Sequence, residues 1–381
     1  MKCIHCSTDN NYKDRNSGSR SKCKQCHHPF AFEPKTDALQ MSDTMFERAI
    51  KDVSANDTLS FTSKQLWYEL NRRLLTRKTL SCGAPAAVLL GVALLHCLPH
   101  FAVALIALPC ILMAAAAPKK RKMTGPQLPK LPYDKFESTY LQKWVMAHGK
   151  IARLLPAVSS SKAAIADALP PGASFPSAQG AHPEAASYSF DRALVVDHAE
   201  TAAMLVANHF HFENNCAILS LDGYPYGATP TIMTMLARNP SLQVFALHDA
   251  CIEGCSMARQ LRSVDWFPNP SIRIIDLGMR PAHILKSNLI ALRNAPRRFP
   301  VGTTSASITA EEIAWLEAGG AAELDTLRPH KLMRAVYQGF AKYGQAAQGE
   351  IDDDGVVIVD SGPSIWVYDS GADVYAADSF G

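Results

Sequence analysis

The chain has 381 residues, 48% of them hydrophobic, and a formal net charge of +3. This composition excludes a wholly disordered chain and leaves enough apolar side chains for more than one domain. The total charge identifies no partner, because basic residues cluster around 64–78 and 119–130 while the C-terminal end is acidic. No apolar leader precedes Cys3, so we expect the ten cysteines to lie in a reducing, cytosolic environment.

Four cysteines near the N-terminus form two matched pairs. Two residues separate Cys3 from Cys6 and Cys23 from Cys26, and sixteen mostly polar residues lie between the pairs. This spacing lets two tight turns bring four thiolates around one tetrahedral ion. We predict a structural zinc ribbon at residues 1–36. A redox pair, or replacement of one thiolate by a nearby histidine, is the alternative.

Residues 42–78 have the pattern of two amphipathic helices joined by a turn. Ser42 and Asp43 are candidate N-cap residues of the first helix, and Thr62 and Ser63 precede the second. Helix pairs of this kind are typical of winged-helix and helix-turn-helix units. We therefore predict a winged-helix-like segment at 42–78.

A long apolar run follows at residues 80–118. It contains no Asp, Glu, Lys or Arg, and it is about twice as long as one membrane span. Pro99 and His100 interrupt it at the centre, and basic residues flank both ends. We predict a transmembrane hairpin of two spans with both termini in the cytoplasm, in a multi-pass membrane protein. A buried hairpin of a soluble domain and one long tilted span are the alternatives.

The remainder of the chain divides into three parts. We predict a helical cytosolic segment at 119–155 and a flexible linker at 156–190, which is rich in Ala, Pro, Ser and Gly. Residues 191–381 form the third part, where short β-branched runs alternate with helical runs. This alternation is typical of an α/β fold with a mostly parallel sheet and helices on both faces, here with a C-terminal extension. The predicted strands are 192–196, 216–221, 242–248 and 272–277.

Carboxylates follow two of these strands. Asp197 comes after the first, and Asp249 and Glu253 come after the third. Functional groups of parallel sheets collect at the carboxyl ends of the strands, and clustered carboxylates are the ligands that magnesium prefers. The pattern indicates a candidate magnesium site. Capping of the following helices is the alternative for both aspartates.

The strand ends carry three motifs, and their order and spacing resemble the Toprim domain of the A subunit of type IIB topoisomerases. These motifs are Val195-Val196-Asp197, Gly223-Tyr224-Pro225 and His-Asp-Ala-Cys-Ile-Glu-Gly at 248–254. The resemblance implies a Toprim-like sheet, magnesium bound through Asp197, Asp249 and Glu253, and action on DNA. The chain departs from the family motifs at Asp197, where the family has Glu, and at Cys251, where it has Asp.

The run Lys64-Gln65-Leu66-Trp67-Tyr68 is similar to the motif in which the same family carries its catalytic tyrosine. The resemblance implies that Tyr68 is a nucleophile and that a partner ATPase subunit, or self-association, completes the active assembly. The family has Arg where this chain has Lys64. A core position on an amphipathic helix is the alternative for Tyr68.

Taken together, the sequence predicts a membrane-anchored, zinc-ribbon, Toprim-like protein that binds DNA with a degenerate metal site. The basic helix within 64–78 would contact phosphates. One alternative is a magnesium-dependent DNA nuclease or transesterase of topoisomerase type. Another is a membrane scaffold or sensor that binds protein or a nucleotide.

Overall fold

The computed structural model describes most of the chain outside the apolar run, the linker and the C-terminal end. The predicted membrane hairpin at 80–118, nearly all of the linker at 156–190 and the tail at 365–381 lie outside the described residues. Among the helices that are described, none combines the length and apolar character needed to cross a membrane. The described residues are 1–16, 21–76, 126–158, 190–239, 241–263, 265–269, 271–287, 289–299, 308–344, 350–351 and 356–358.

The N-terminal part is built on helices. A short helix α1, Tyr12–Asn16, lies between the two cysteine pairs; α2, Asp43–Val53, and α3, Ser63–Thr76, follow. Helix α4 consists of Tyr133–Lys135, a π-helical stretch Phe136–Leu141 and Gln142–His148. The predicted N-cap of α2 is confirmed, because the Ser42 hydroxyl accepts a hydrogen bond from the Met45 N–H at 3.3 Å.

One apolar core joins α2, α3 and α4. The rings of Phe46 and Trp144 stack with centroids 4.6 Å apart, and Phe32 contacts both rings. Trp67 is buried and donates its indole N–H to the Leu131 carbonyl at 2.7 Å. Stacked aromatic rings of this kind bury large apolar areas and fix the angles between helices. The two predicted helices of 42–78 therefore form, while their interpretation as a winged helix stays a prediction.

The second part is a mixed α/β unit with a parallel sheet. Its strands are β1, Arg192–Val196; β2, Cys216–Ser220; β3, Gln243–Leu247; β4, Arg273–Asp276; β7, Glu350–Ile351; and β8, Val356–Ile358. Their spatial order is β2-β1-β3-β4-β8-β7. In this order, the first five strands run parallel to one another, and the edge strand β7 is antiparallel to β8. All four strands predicted from 192–277 are present within one residue of their expected ends.

Helices cover both faces of the sheet. They are α5, Ala199–Ala207; α6, Phe210–Glu213; α7, Thr229–Leu236; α8, Met257–Gln260; α9, Pro281–Leu285; α10, Ala310–Glu317; and α11, Pro329–Tyr343. Along β1, Leu194 packs in the core with Leu205 and Phe340, whereas Val195 packs in the opposite core with Leu236. Because both faces are buried, the strands are apolar throughout rather than alternating with polar residues.

The strand register fixes where the following loops meet. Val196 pairs with Ser220 of β2 on one side and with Leu247 of β3 on the other. The residues after these strands therefore lie side by side at one edge of the sheet. A separate two-stranded ribbon of β5, Leu292–Arg293, and β6, Gly320–Ala321, leads the chain back to that edge through a bridge between Ala322 and Ala250.

Candidate metal centres

The four N-terminal cysteines converge on one point, and we call them the cysteine cluster. Their sulfur atoms all lie within 4.8 Å of one another, with 3.7 Å between Cys3 and Cys26 and 3.6 Å between Cys6 and Cys23. A tetrahedral ion with metal–sulfur bonds of about 2.3 Å requires sulfur separations of about 3.8 Å. The cluster could therefore hold a metal such as zinc.

Two equivalent turns build the cysteine cluster. The Cys3 carbonyl accepts the Ser7 N–H at 2.9 Å in the first turn, and the Cys23 carbonyl accepts the His27 N–H at 3.0 Å in the second. Ser7 and His27 both adopt positive φ, at 60° and 56°. Burial opposes ionisation of Cys23, but the N–H groups of the following residues point at its sulfur and lower its pKa to about 6. A thiolate is the form that binds metal.

Polar contacts hold this segment against the helices. Arg15, which lies between the cysteine pairs, donates from Nε to Glu33 at 2.7 Å and also pairs with it through a second nitrogen. His28 hydrogen-bonds His148 of α4 at 3.0 Å, and His148 contacts the buried Asp43 carboxylate at 2.8 Å. The Asp43 carboxylate also accepts the backbone N–H groups of Ala31 and Phe32, which follow the second cysteine pair. The segment that carries the cysteine cluster is thus joined to α2 and α4.

A second cluster lies at the carboxyl edge of the sheet, and we call Asp197, His198 and Asp249 the acidic site. Their ligating atoms lie within 4.8 Å of one another. The Asp249 N–H donates to Asp197 Oδ2 at 2.6 Å, and His198 Nε2 lies 3.4 Å from Asp249 Oδ2. Asp249 Oδ1 in turn accepts the Leu324 N–H at 2.6 Å. Backbone groups from two loops therefore fix both carboxylates.

One oxygen of the acidic site has no hydrogen-bond partner among the residues that the structure describes. Asp197 is 9% exposed, and its Oδ1 is buried without a hydrogen bond in the part of the chain that is described. Burial and the nearby negative charge of Asp249 raise the pKa of Asp197 to about 7. Burial also raises the pKa of Asp249. A buried, unpartnered carboxylate oxygen is costly, so it marks a position for a ligand that supplies positive charge.

The aspartates of the acidic site do not act as helix caps. Asp222, at the end of β2, instead accepts the first N–H of α5, from Ala199 at 3.0 Å. His198 lies between the two groups, with Nδ1 3.6 Å from Asp222. Its hydrogen bond to Asp249 raises the pKa of His198 to about 10. His198 was missed from sequence, although it directly follows Asp197.

A buried ion pair lies behind the acidic site. His248 is 1% exposed; its Nε2 lies 3.0 Å from Asp276 and its Nδ1 lies 2.7 Å from the Asp249 carbonyl. Burial opposes the charge, but Asp276 raises the pKa of His248 to about 9. Gly278 makes room for the ring, because a Cβ there would lie 2.0 Å from His248 Nε2. Through the contact of His248 with the Asp249 carbonyl, this ion pair helps to fix the Asp249 peptide.

The predicted ligand Glu253 does not join the acidic site, and neither does Cys251 at the altered family position. The Glu253 side chain is 61% exposed and forms an ion pair with Arg297 at 2.7 Å. Cys251, which stands where the resembled family has Asp, accepts the Gly254 N–H on its sulfur at 3.2 Å. Burial raises the pKa of Cys251 to about 12, so it remains a thiol.

Tyr68 lies beside the acidic site but is completely buried. Its exposure is 0%, and its hydroxyl donates to Glu323 Oε2 at 3.0 Å. Lys64 binds the other oxygen of Glu323 at 2.8 Å. Burial, together with the Glu323 charge, raises the pKa of Tyr68. Glu323 also contributes to the raised pKa of Asp249, which places its charge near the site. No sequence motif identified Glu323.

Helix α3 is joined to residues 323–328 along its length. Besides the contacts of Lys64 and Tyr68, Thr62 donates to Asp325, and Arg328 donates to Glu69 at 2.9 Å. Glu69 is buried; burial opposes its charge, but the neighbouring arginines lower its pKa. These contacts tie α3 to the loop whose Leu324 N–H fixes Asp249.

Comparison of the chain with protein-family models, with curated proteins and with solved structures gives no match.

Proposed function

We propose that this protein is a divalent-cation-dependent enzyme that acts on DNA phosphodiesters, with Asp197 and Asp249 as the main cation ligands. The observation that carries this proposal is the buried, unpartnered Asp197 Oδ1 beside a second carboxylate. Leaving that oxygen unpaired costs stability, and a cation supplies the missing interaction.

The donor set suits a hard or borderline cation. The carboxylates of Asp197 and Asp249 suit magnesium and manganese, whereas the imidazole of His198 favours manganese or zinc over magnesium. When bound, the cation would stabilise negative charge on a phosphoryl oxygen. His198, whose side chain is 47% exposed, lies on the solvent side and can meet a substrate or a cation ligand.

The choice of DNA rests on the resemblance of the three strand-end motifs to Toprim domains and on the placement of Lys64. In this proposal Lys64 is a cation beside the site, held by Glu323 in a partly exposed position. Tyr68 is a positioning residue for Glu323, since its buried hydroxyl has no path to a phosphodiester. We also propose that the cysteine cluster holds structural zinc and that residues 80–118 anchor the protein in a membrane.

A DNA-binding protein with a degenerate site is the second candidate. The position of Cys251 favours it, because the second aspartate of the family motif is absent and Glu253 does not replace it. The two candidates differ in whether DNA is cleaved when a cation is bound at the acidic site.

Calorimetric titration of the full-length protein with Mg²⁺ and Mn²⁺ tests the proposal. We expect binding that Asp197→Asn and Asp249→Asn each abolish, with Mn²⁺ bound at least as tightly as Mg²⁺. Nicking of supercoiled plasmid should depend on the same two residues. The matched control is Asp222→Asn, at the helix cap, which should retain cation binding. Binding that survives both site substitutions would refute the enzyme proposal, and binding without nicking would favour the degenerate site.

A further inference from the structure

Residues 293–298, Arg-Asn-Ala-Pro-Arg-Arg, form an exposed loop with three arginines and no acidic residue, and we call it the arginine loop. Arg293 and Arg298 have no ion pair with any residue that the structure describes, and the Arg297 side chain is 63% exposed. These three guanidinium groups lie within six residues, and among the described residues only that of Arg297 pairs with an acidic side chain. They make a local positive patch on a chain whose net charge is small.

The shape of the arginine loop is fixed by its neighbours. The Asn294 N–H donates to the Gly319 carbonyl at 2.7 Å, and the Arg297 N–H donates to the Glu317 carbonyl at 3.1 Å. Gly319 has φ of +86°, and a Cβ there would lie 2.1 Å from the Asn294 oxygen. Only glycine permits this close approach. The loop is therefore a defined surface that begins in β5, which pairs with β6.

Two separate connections place the arginine loop beside the acidic site. The first runs through the β5–β6 pairing: β6 leads through Ala322 into Glu323 and Leu324, and the Leu324 N–H fixes Asp249. The second is the 2.7 Å ion pair from Arg297 to Glu253, four residues beyond Asp249. Arg297 therefore lies at the sheet edge where the carboxylates converge.

The partner of Arg297 is easily replaced. The Arg297 and Glu253 side chains are 63% and 61% exposed, and ion pairs with this exposure contribute little to stability. A guanidinium group binds a phosphate through two parallel hydrogen bonds, as it does a carboxylate. Arg293 and Arg298 on the same exposed loop offer two further guanidinium groups to neighbouring phosphates of a DNA backbone.

We propose that the arginine loop binds the phosphate backbone of duplex DNA next to the acidic site, and that Arg297 exchanges Glu253 for a phosphate when DNA binds. The proposal rests on the proposed function for the choice of DNA as the polyanion. It assigns Glu253 the role of a competitor for Arg297, in place of the cation-ligand role that the sequence indicates.

The test measures fluorescence anisotropy of a labelled DNA duplex with the full-length protein over a series of salt concentrations, without added divalent cation. Each lost phosphate contact lowers the slope of log Kd against log salt by about 0.9, so Arg293→Gln/Arg297→Gln/Arg298→Gln should lower it by about 2 to 3. The charge-matched control changes three exposed lysines on or just after α4 and should leave the slope unchanged. These are Lys135→Gln, Lys143→Gln and Lys150→Gln.

Glu253→Gln should change DNA affinity in the opposite direction to the triple variant. A gain in affinity cannot result from misfolding, so this variant keeps the test valid if the triple variant fails to fold. Removing the competitor should tighten DNA binding about two- to five-fold and leave Mn²⁺ binding unchanged. An unchanged salt slope in the triple variant, or weaker Mn²⁺ binding in Glu253→Gln, would overturn the proposal. If cation binding does not depend on Asp197 and Asp249 but the triple arginine variant still lowers the salt slope, the enzyme proposal is refuted. The proposal that the arginine loop binds DNA then still stands.

Discussion

The cysteine cluster and the acidic site gather ligating groups in opposite ways. All four cysteines come from one stretch of 24 residues, and two copies of one backbone turn position them. The acidic site takes Asp197 and Asp249 from separate strands and fixes Asp249 through Leu324, which is 75 residues away in the chain. A site whose ligands are close in sequence, such as the cysteine cluster, can be predicted from residue spacing. A site whose ligands come from distant parts of the chain, such as the acidic site, depends on the fold.

The largest expected effect follows from removing one ligand of the cysteine cluster. Cys23→Ser should release bound zinc and unfold residues 1–36, because apparent zinc-binding energies of about 10–16 kcal/mol act as folding energy in small zinc segments. Zinc content and protease protection of that segment measure the effect. Cys251→Ser is the control and should keep one zinc ion per chain. Unchanged zinc content in Cys23→Ser would contradict the cluster assignment.

The second prediction concerns the contacts around the acidic site and changes Glu69, a residue that is not a proposed cation ligand. Glu69→Gln removes the carboxylate that pairs α3 with Arg328, so the protein should lose about 3 kcal/mol of stability in urea unfolding. Zinc content should be unaffected, while Mn²⁺ binding at the acidic site should weaken slightly, because one of the contacts that hold the Leu324 loop against α3 is lost and those of Lys64 and Tyr68 remain. Glu47→Gln, at an exposed pair with Lys51, should cost less than about 0.5 kcal/mol.

The pH dependence of this effect has a defined sign. The pKa of Glu69 is lowered in the folded protein, so its charge stabilises the fold above the ordinary Glu pKa. That stabilisation is lost as the pH falls through the folded value. The difference between wild type and Glu69→Gln should therefore be large at neutral pH and shrink in acid. A difference that is constant across this range would show that Glu69 acts by packing alone.

The two regions also show what sequence can predict. The convergence of the four cysteines and the four parallel strands were predicted correctly, because both depend on patterns of nearby residues. Glu323 and the outward turn of Glu253 were not, because they depend on where the β5–β6 ribbon returns to the sheet. The complete burial of Tyr68 agrees with the core position that the helical pattern gave as the alternative, whereas its hydrogen bond to Glu323 was not predicted. Local chemistry is visible in sequence, but long-range placement requires the fold.

A smaller effect on stability tests the cost of placing the Asp197 charge beside Asp249. Asp197 has a raised pKa in the folded protein, so its contribution to stability is present at low pH and lost as the pH rises through about 7. Asp197→Asn retains the hydrogen bond from the Asp249 N–H and removes the buried charge. Without divalent cation at pH 8, we expect the variant to be more stable than wild type by roughly 1–4 kcal/mol. At pH 5, where most folded molecules carry a protonated Asp197, the difference should be clearly smaller.

Urea unfolding at the two pH values, after exchange into buffer without added cation, measures this difference. Added Mn²⁺ should stabilise the wild type and leave Asp197→Asn unchanged, which reverses their order. A variant less stable than wild type at pH 8 without cation would mean that Asp197 is a structural residue. The cysteine cluster provides the contrast, since no cysteine substitution there should stabilise the protein.

The smallest expected effect separates two roles for Tyr68. Tyr68→Phe removes one hydrogen bond to Glu323 and leaves Lys64 in place, so the loss of stability should be about 1–2 kcal/mol. Tyr133→Phe, which loses a 2.8 Å hydrogen bond to Ser63 on the same helix, is the matched control. If Tyr68 positions Glu323, plasmid nicking falls by a modest factor and no protein–DNA adduct forms in either protein. Complete loss of nicking, with an adduct trapped only when Tyr68 is present, would instead make Tyr68 the nucleophile and require α3 to expose it during the reaction.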